Sequence, residues 1–229
     1  MQKPPVYDVE GYNILDPKDD LGYKSQYITL LQEKALMRYL PECDGQGIAL
    51  DIGCGYGRLT NILAKKGWKV IGLDPDIKLL AYALKQNLNG YFCNGGLPDL
   101  PVPKKAASLI MLHNLLRPLL LMKQLDRFKG IRQYLTKDGK LIVVDNIRDN
   151  HQDFFTHDAL VEFVESEGFK LEQRIPIRAA RWWLIYLIRY GLIPKKWFDK
   201  ISDYELEKQR VNATTYRWQY LNVIYIFSL

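Results

Sequence analysis

The stretch Asp51-Ile52-Gly53-Cys54-Gly55-Tyr56-Gly57 sets three glycines at alternate positions behind an acid, at the exit of the short apolar run Ile48–Ile52. Glycines at such a turn let the backbone pass close to a ligand and take φ values that a side chain forbids. Asp74 closes the next apolar run, Lys69–Asp74. An acid there can accept hydrogen bonds from both ribose hydroxyls of a nucleoside. The spacing G-x-G-x-G departs from the dinucleotide fingerprint G-x-G-x-x-G, so a different nucleoside-bearing cofactor is expected. Downstream, His113 and Asp145 each stand near the carboxyl end of an apolar run, where open α/β sheets place their chemistry. Either is placed to act as a general base. Equally, His113 can simply pack beside a ligand and Asp145 can cap the following loop. Asn146 and Arg148 stand beside Asp145 at the same strand, and His151 and His157 follow on the next loop. Cys54 reads as a small filler of the glycine turn. Three scattered His without neighbouring carboxylate ligands predict no metal site.

The elements that must position these residues alternate. Apolar positions at helical spacing predict a helix from Ser25 to Leu40, with Gln32, Glu33, Lys34 and Arg38 on its polar side. Strands are expected at 48–52, 69–74, 90–93, 108–113, 140–145, 169–177 and 222–228. Helices are expected at 59–65, 77–84, 119–134 and 158–167, the last behind a Thr156 cap. A turn at Lys137-Asp138-Gly139 is expected to lead into the fifth strand. Alternating strands and helices need crossover connections, which gives a doubly wound, mostly parallel α/β sheet. The whole chain, 1–229, reads as one domain. Residues 1–44 form an N-terminal helical extension and 178–219 a helical cap inserted before the last strand.

The glycine turn, its strand context and Asp74 resemble those of the class I, Rossmann-like S-adenosylmethionine-dependent methyltransferases, over about residues 48–177. The segment Leu97-Pro98-Asp99-Leu100-Pro101 resembles one common in their small-molecule branch, methyltransferase type 11. The resemblance implies a seven-stranded sheet whose last strand, Asn222–Ser228, is antiparallel. It also implies S-adenosylmethionine as cofactor and S-adenosylhomocysteine as product. Asp51 would lie near the methionine part, with Gly53 and Gly55 as the floor and Cys54, Tyr56 and Gly57 completing the turn. Asp74 would hold the ribose, and Pro75-Asp76 would border the adenine. Asn94 and Gly95 stand where the family often has an acid beside the adenine amino group. Leu112-His113-Asn114-Leu115 matches a stretch lining the cofactor. Lys24, at the start of the first helix, either meets the cofactor carboxylate or lies solvated. The activity implied is methylation of a small-molecule, sugar or lipid-linked acceptor by direct displacement, with oxygen the expected acceptor atom. The alternatives are a regulatory module that binds the cofactor without catalysis, or an RNA methyltransferase.

Composition narrows the partners. The chain has 229 residues, is 48% hydrophobic, and carries 32 Lys plus Arg against 26 Asp plus Glu, a formal charge of +6. Its three Cys have no paired or metal-like spacing, its amino terminus is polar and proline-bearing, and no apolar run approaches the ~18 residues that span a bilayer. A cytoplasmic protein is expected, with no obligate protein partner. Residues 174–217 hold ten Lys or Arg and four Asp or Glu, so this segment carries the whole surplus. Arg178 to Tyr190 reads as one helix with Arg178, Arg181 and Arg189 on a common side. That segment fits three roles: a cap packed on the body, a lid whose arginines meet an anionic substrate, or, over 178–198, an interfacial helix on anionic lipid. Nucleic acid is disfavoured, since the cations are interleaved with large apolar residues and no Asn-Pro-Pro-Tyr motif is present.

Overall fold

The computed structural model describes residues 19–85, 89–179, 183–211 and 220–229. Seven strands form one sheet: β1 (Ile48–Ile52), β2 (Lys69–Asp74), β3 (Tyr91–Asn94), β4 (Ala107–His113), β5 (Leu135–Arg148), β6 (Lys170–Ala179) and β7 (Tyr220–Ser228). Their order is β3-β2-β1-β4-β5-β7-β6, parallel except for β7, which runs antiparallel to both β5 and β6. The chain winds outward from β1 in one direction and from β4 in the other. The loops after these neighbouring strands therefore part and leave a crevice at their carboxyl ends.

Side-chain alternation makes the two layers. In β4, Leu109 and Met111 face one core while Ile110 and Leu112 face the other; Ile142 and Val144 oppose Leu141 and Val143 in the same way on β5. The first face packs against α1 (Tyr23–Tyr39), α2 (Arg58–Lys65), α6 (Trp183–Arg189) and α7 (Phe198–Val211). The second packs against α4 (Leu116–Leu121) and α5 (His157–Ser166). Each buried Leu or Ile on these faces contributes about 1.5–3 kcal/mol from water exclusion. Helix α3 (Ile77–Lys85) buries Leu79, Leu80 and Ala83 beside β2 and β3. Thr156 caps α5, its Oγ1 accepting from the Ala159 N–H at 3.2 Å.

Four local expectations change. Residues 119–134 are not one helix: α4 ends at Leu121, and single 3-10 turns follow at Leu125–Phe128 and Ile131–Tyr134. Lys123 and Gly130, both at positive φ (56° and 77°), break the path. β5 begins at Leu135, before the expected turn, because Leu135 pairs with Ala107 across a register shift and regular pairing resumes at Leu109 with Lys140. β6 runs on to Ala179, so Arg178 is a strand residue paired with Asn222 and does not share a helix face with Arg189. Gln32, expected on the solvent side of α1, is buried. Residues 1–18, together with Arg181, Trp182 and Trp218, lie outside the described residues.

Candidate functional site

The carboxyl ends of β1, β2, β4 and β5 open onto a cavity of about 880 Å³, roofed by α1 and rimmed by α6. At its floor the turn after β1 takes the left-handed conformation at Gly53, Gly55 and Gly57 (φ 75°, 56° and 81°). Gly53 and Cys54 both donate their N–H to the Leu73 carbonyl, at 2.7 and 3.1 Å, which ties the turn to the end of β2. Gly55 donates to Asp74 Oδ2 and Asp76 to Asp74 Oδ1, each at 2.8 Å. A Cβ on Gly55 would meet nothing within 4 Å, so this backbone faces open space. Each Asp74 oxygen has two lone pairs and spends one on a backbone N–H, which leaves acceptors for two ligand hydroxyls.

Asp51 lies beneath the turn, buried, and accepts from Thr60 Oγ1 at 2.6 Å. Burial pushes its carboxyl up to about 6, with the Thr60 hydrogen bond and the Arg58 charge acting in the other direction. Burial also pushes the Cys54 thiol up, reinforced by Asp51 and Asp74, so it stays protonated.

At the end of β4, His113 Nε2 faces three N–H donors: Gln32 Nε2 at 3.2 Å, Arg58 Nη2 at 3.3 Å and Asn114 Nδ2 at 3.3 Å. Three donors around one nitrogen assign it as the acceptor and put the ring proton on Nδ1. Burial first, and the Arg58 guanidinium second, hold the imidazole well below its usual range. Gln32 completes the arrangement, accepting from Arg58 Nη1 at 2.7 Å and donating to Asn222 Oδ1 at 3.0 Å.

At the end of β5, Asp145 is buried beside the same cavity and accepts the N–H groups of Asn146 (2.7 Å) and Arg117 (3.3 Å). Burial raises its carboxyl to about 6 against these backbone donors. Asn146, Asn222 and Arg178 are consecutive cross-strand partners on β5, β7 and β6. Asn146 donates to Asn114 Oδ1 at 3.2 Å, and Asn222 donates to Asn146 Oδ1 at 3.3 Å. This polar row runs from Asn114 to the buried Arg178, which reaches the cavity wall. Arg117 lines the wall as well; its Nε donates to the Asp153 carbonyl at 3.2 Å and its guanidinium lies 4.0 Å from the centre of the Phe154 ring.

Of the expected site residues, Lys24, Asp51, Gly53, Cys54, Gly55, Tyr56, Asp74, Pro75, His113 and Asp145 all line this cavity. Gly57, Asn94 and Gly95 do not. Gly57 caps the start of α2, Asn94 Nδ2 donates to the Asp74 and Pro75 carbonyls at 3.1 and 3.0 Å, and Gly95 packs against Pro101. His157 is stacked on Tyr225 away from the cavity, and burial lowers its imidazole. Gln32, Arg58, Arg117 and Tyr186 join the cavity wall without having been expected there, as does Asn114 in its own right. Asn114 and Arg117 closely follow β4 and could have been found from topology, whereas nothing local marks Gln32 or Arg58. Among the described residues, no three His, Cys, Asp or Glu side chains cluster as metal ligands, and no helix is long and apolar enough to cross a membrane.

Residues 49–139 match a family model described as a methyltransferase domain. A ribosomal protein L11 methyltransferase of Campylobacter lari is 30% identical over 146 residues, covering 61% of this chain and 48% of the relative. The chain spans about half the length of the curated relatives it matches. A SAM-dependent methyltransferase from Aquifex aeolicus superposes with a TM-score of 0.61 at 15% identity, over 98% of this chain and 100% of its own. A geranyl diphosphate C-methyltransferase from Streptomyces coelicolor, in complex with Mg2+, geranyl diphosphate and S-adenosylhomocysteine, gives 0.62 at 12% identity over 99% and 90%. The winding of the sheet, the glycine turn tied to Asp74 and the matched segment agree: residues 49–139 are similar to a methyltransferase domain, and the chain has the seven-stranded fold of the solved S-adenosylmethionine-dependent methyltransferases.

Proposed function

We propose that the protein methylates an oxygen of a small, anionic, lipid-linked acceptor, with S-adenosylmethionine as donor. The observation that carries this reading is one cavity with two chemically different ends. At one end are the glycine turn and the Asp74 carboxylate; at the other are Asp145, the Asn114–Asn146 pair and the guanidinium groups of Arg117 and Arg178.

The first end fits the cofactor. Asp74 has spare lone pairs for two ribose hydroxyls, the Gly55 backbone leaves the space that a side chain would fill, and Pro75 borders the base. Lys24 is the cation for the methionine carboxylate, approaching from α1. Bound there, S-adenosylmethionine supplies an electrophilic methyl on a sulfonium whose departure leaves a neutral thioether. The second end does the chain's own work. Asp145, ionised above about pH 6, takes the proton of the acceptor hydroxyl as that oxygen bonds to the methyl carbon. Arg117 and Arg178 hold the acceptor's anionic group and so aim the hydroxyl. His113 is neutral and its lone pair is occupied, so it braces the wall of the site and is not the base. The geranyl diphosphate bound by the Streptomyces relative is an anion on an apolar chain, which supports this acceptor class by analogy. With all three cysteines free, we place the protein in the reducing cytoplasm, working at a membrane surface.

Calorimetry with S-adenosylhomocysteine tests the reading. Wild type is expected to bind, and Asp74→Ala is expected to lose at least tenfold in affinity. Binding that is absent, or indifferent to Asp74, overturns it. Mass-spectrometric detection of a methylated product from a lipid-phosphate acceptor separates catalysis from mere cofactor binding.

A further inference from the structure

Helix α6 has two unlike sides. Ile185 and Ile188 are buried on the body, whereas Trp183 (63%), Tyr186 (46%) and Tyr190 (64%) are exposed. At about 100° per residue, positions i, i+3 and i+7 fall on one side of a helix, so the three aromatic rings form a single outward face. The surface continues past the helix through Leu192 and Trp197, 67% and 49% exposed. Leu21 extends it, since a Cβ on Gly191 would lie 3.0 Å from Leu21 Cδ1.

Cations are set among these apolar groups. Lys195 Nζ lies 4.5 Å from the centre of the Tyr23 ring, Lys200 Nζ 5.7 Å from that of Trp197, and the Arg189 guanidinium 5.4 Å from that of Tyr190. From 183 to 200 the chain carries Arg189, Lys195, Lys196 and Lys200 against the single acid Asp199. That acid is engaged by Lys34 of α1 at 2.7 Å, so the exposed aromatic surface is bordered mainly by positive charge. Tyr186 belongs both to the aromatic face and to the cavity wall, which puts the surface at the mouth of the site.

We propose that the outward face of α6 and the loop after it form a docking surface for an anionic lipid bilayer. Trp183, Tyr190, Leu192 and Trp197 enter the headgroup layer, Lys195 and Lys196 meet lipid phosphates, and the cavity mouth at Tyr186 is held against the membrane. Aromatic rings with one apolar and one polar edge suit that depth, and lysines bordering them add attraction to negative lipid. A protein partner fits less well, because lysine is depleted at the centres of protein interfaces. The purpose of the surface rests on the reading of a lipid-linked acceptor; its geometry does not.

Flotation of the full chain with vesicles supplies the test. One set is phosphatidylcholine alone, the other an equimolar mixture of phosphatidylcholine and phosphatidylglycerol. Wild type is expected to float with the mixed vesicles, to stay behind with phosphatidylcholine alone, and to be released by salt. Trp183→Ser/Tyr190→Ser/Trp197→Ser should lose at least tenfold in partition. In Lys195→Gln/Lys196→Gln, each lysine removed should lower partition about fivefold. Because these side chains are exposed, unfolding midpoints and S-adenosylhomocysteine affinity should match wild type. Equal flotation of wild type and the aromatic variant overturns the proposal. So does a concentration-dependent dimer that the aromatic variant abolishes without any vesicle binding. Were the vesicles bound and S-adenosylhomocysteine ignored, the functional reading would fail while the docking surface stood.

Discussion

His113 and Asp145 lie toward the carboxyl ends of adjacent strands and face one cavity, and in the proposed reaction their surroundings give them opposite roles. The His113 lone pair meets two amides and a guanidinium, each of which would repel an added proton, and burial removes the water that would stabilise the imidazolium. Asp145 is raised only to about 6, so it is ionised at neutral pH yet basic enough to accept a proton in a transition state. The rate under saturating cofactor should therefore climb with pH through about 6 and level off above it. Asp145→Asn should remove that limb along with about 10²–10⁴ of the rate. His113→Asn should shift the plateau while keeping the midpoint. A limb that persists in Asp145→Asn, measured with any accepted substrate, would exclude Asp145 as the base. Both residues were readable as candidates from their place at strand ends. What decides between them is the company each keeps: α1 and α2 supply it for His113, the start of α4 and the next strand residue for Asp145.

Gln32 shows how the elements are joined above the sheet. From α1 its amide reaches Arg58 on α2, His113 on β4 and Asn222 on β7. Gln32→Leu keeps the volume and removes all three hydrogen bonds, leaving the Arg58 guanidinium and the His113 acceptor at the cavity wall, and the buried Asn222 acceptor, each short of a partner. A loss of about 2–4 kcal/mol is expected in urea unfolding, with little change in m. A variant as stable as wild type would show that these bonds do not fasten α1. The sheet itself was legible, because β1, β2 and β4 are short apolar runs closed by turn residues, and the glycine turn marks a place where a ligand could approach the backbone closely. Three features were not. The run Leu119-Leu120-Leu121-Met122 looks like the start of a long helix, and Lys123 ends it in a left-handed conformation that leaves no compositional mark. Arg178 was placed on a helix wheel although β7 holds it in a strand, a pairing between residues distant in sequence. Gln32 fits the polar side of α1 by periodicity, and only a polar partner beneath the helix explains its burial.

At the scale of the whole molecule, an excess of positive charge outside coexists with buried acids inside, and the acids set the pH dependence. Asp51 and Asp145 rise from about 4 to about 6 and Glu205 from 4.5 to about 7, each chiefly through burial. A raised carboxyl means that the folded chain keeps protons which the unfolded chain releases, so between pH 4 and 7 stability falls as pH rises. Glu205 isolates the effect. On α7, it faces α1 and β6, accepts from the Tyr27 hydroxyl at 2.6 Å, and has Arg178 and Lys208 as its nearby cations. Burial, with Glu205 as the second cause, pushes the Tyr27 phenol upward, so it remains the donor throughout. Glu205→Gln preserves an acceptor for that hydroxyl and deletes the buried charge. Below pH 4.5 both forms are neutral at this position and should unfold alike. Above pH 7 the variant should be more stable by on the order of 3 kcal/mol, the free energy of shifting a carboxyl from 4.5 to about 7. Urea titrations from pH 4.5 to 8.5 measure the difference directly. A gap that does not change over that range would mean that the Arg178 guanidinium already compensates the carboxylate in full, and that α1 and α7 are held together by an ion pair in place of a protonated acid.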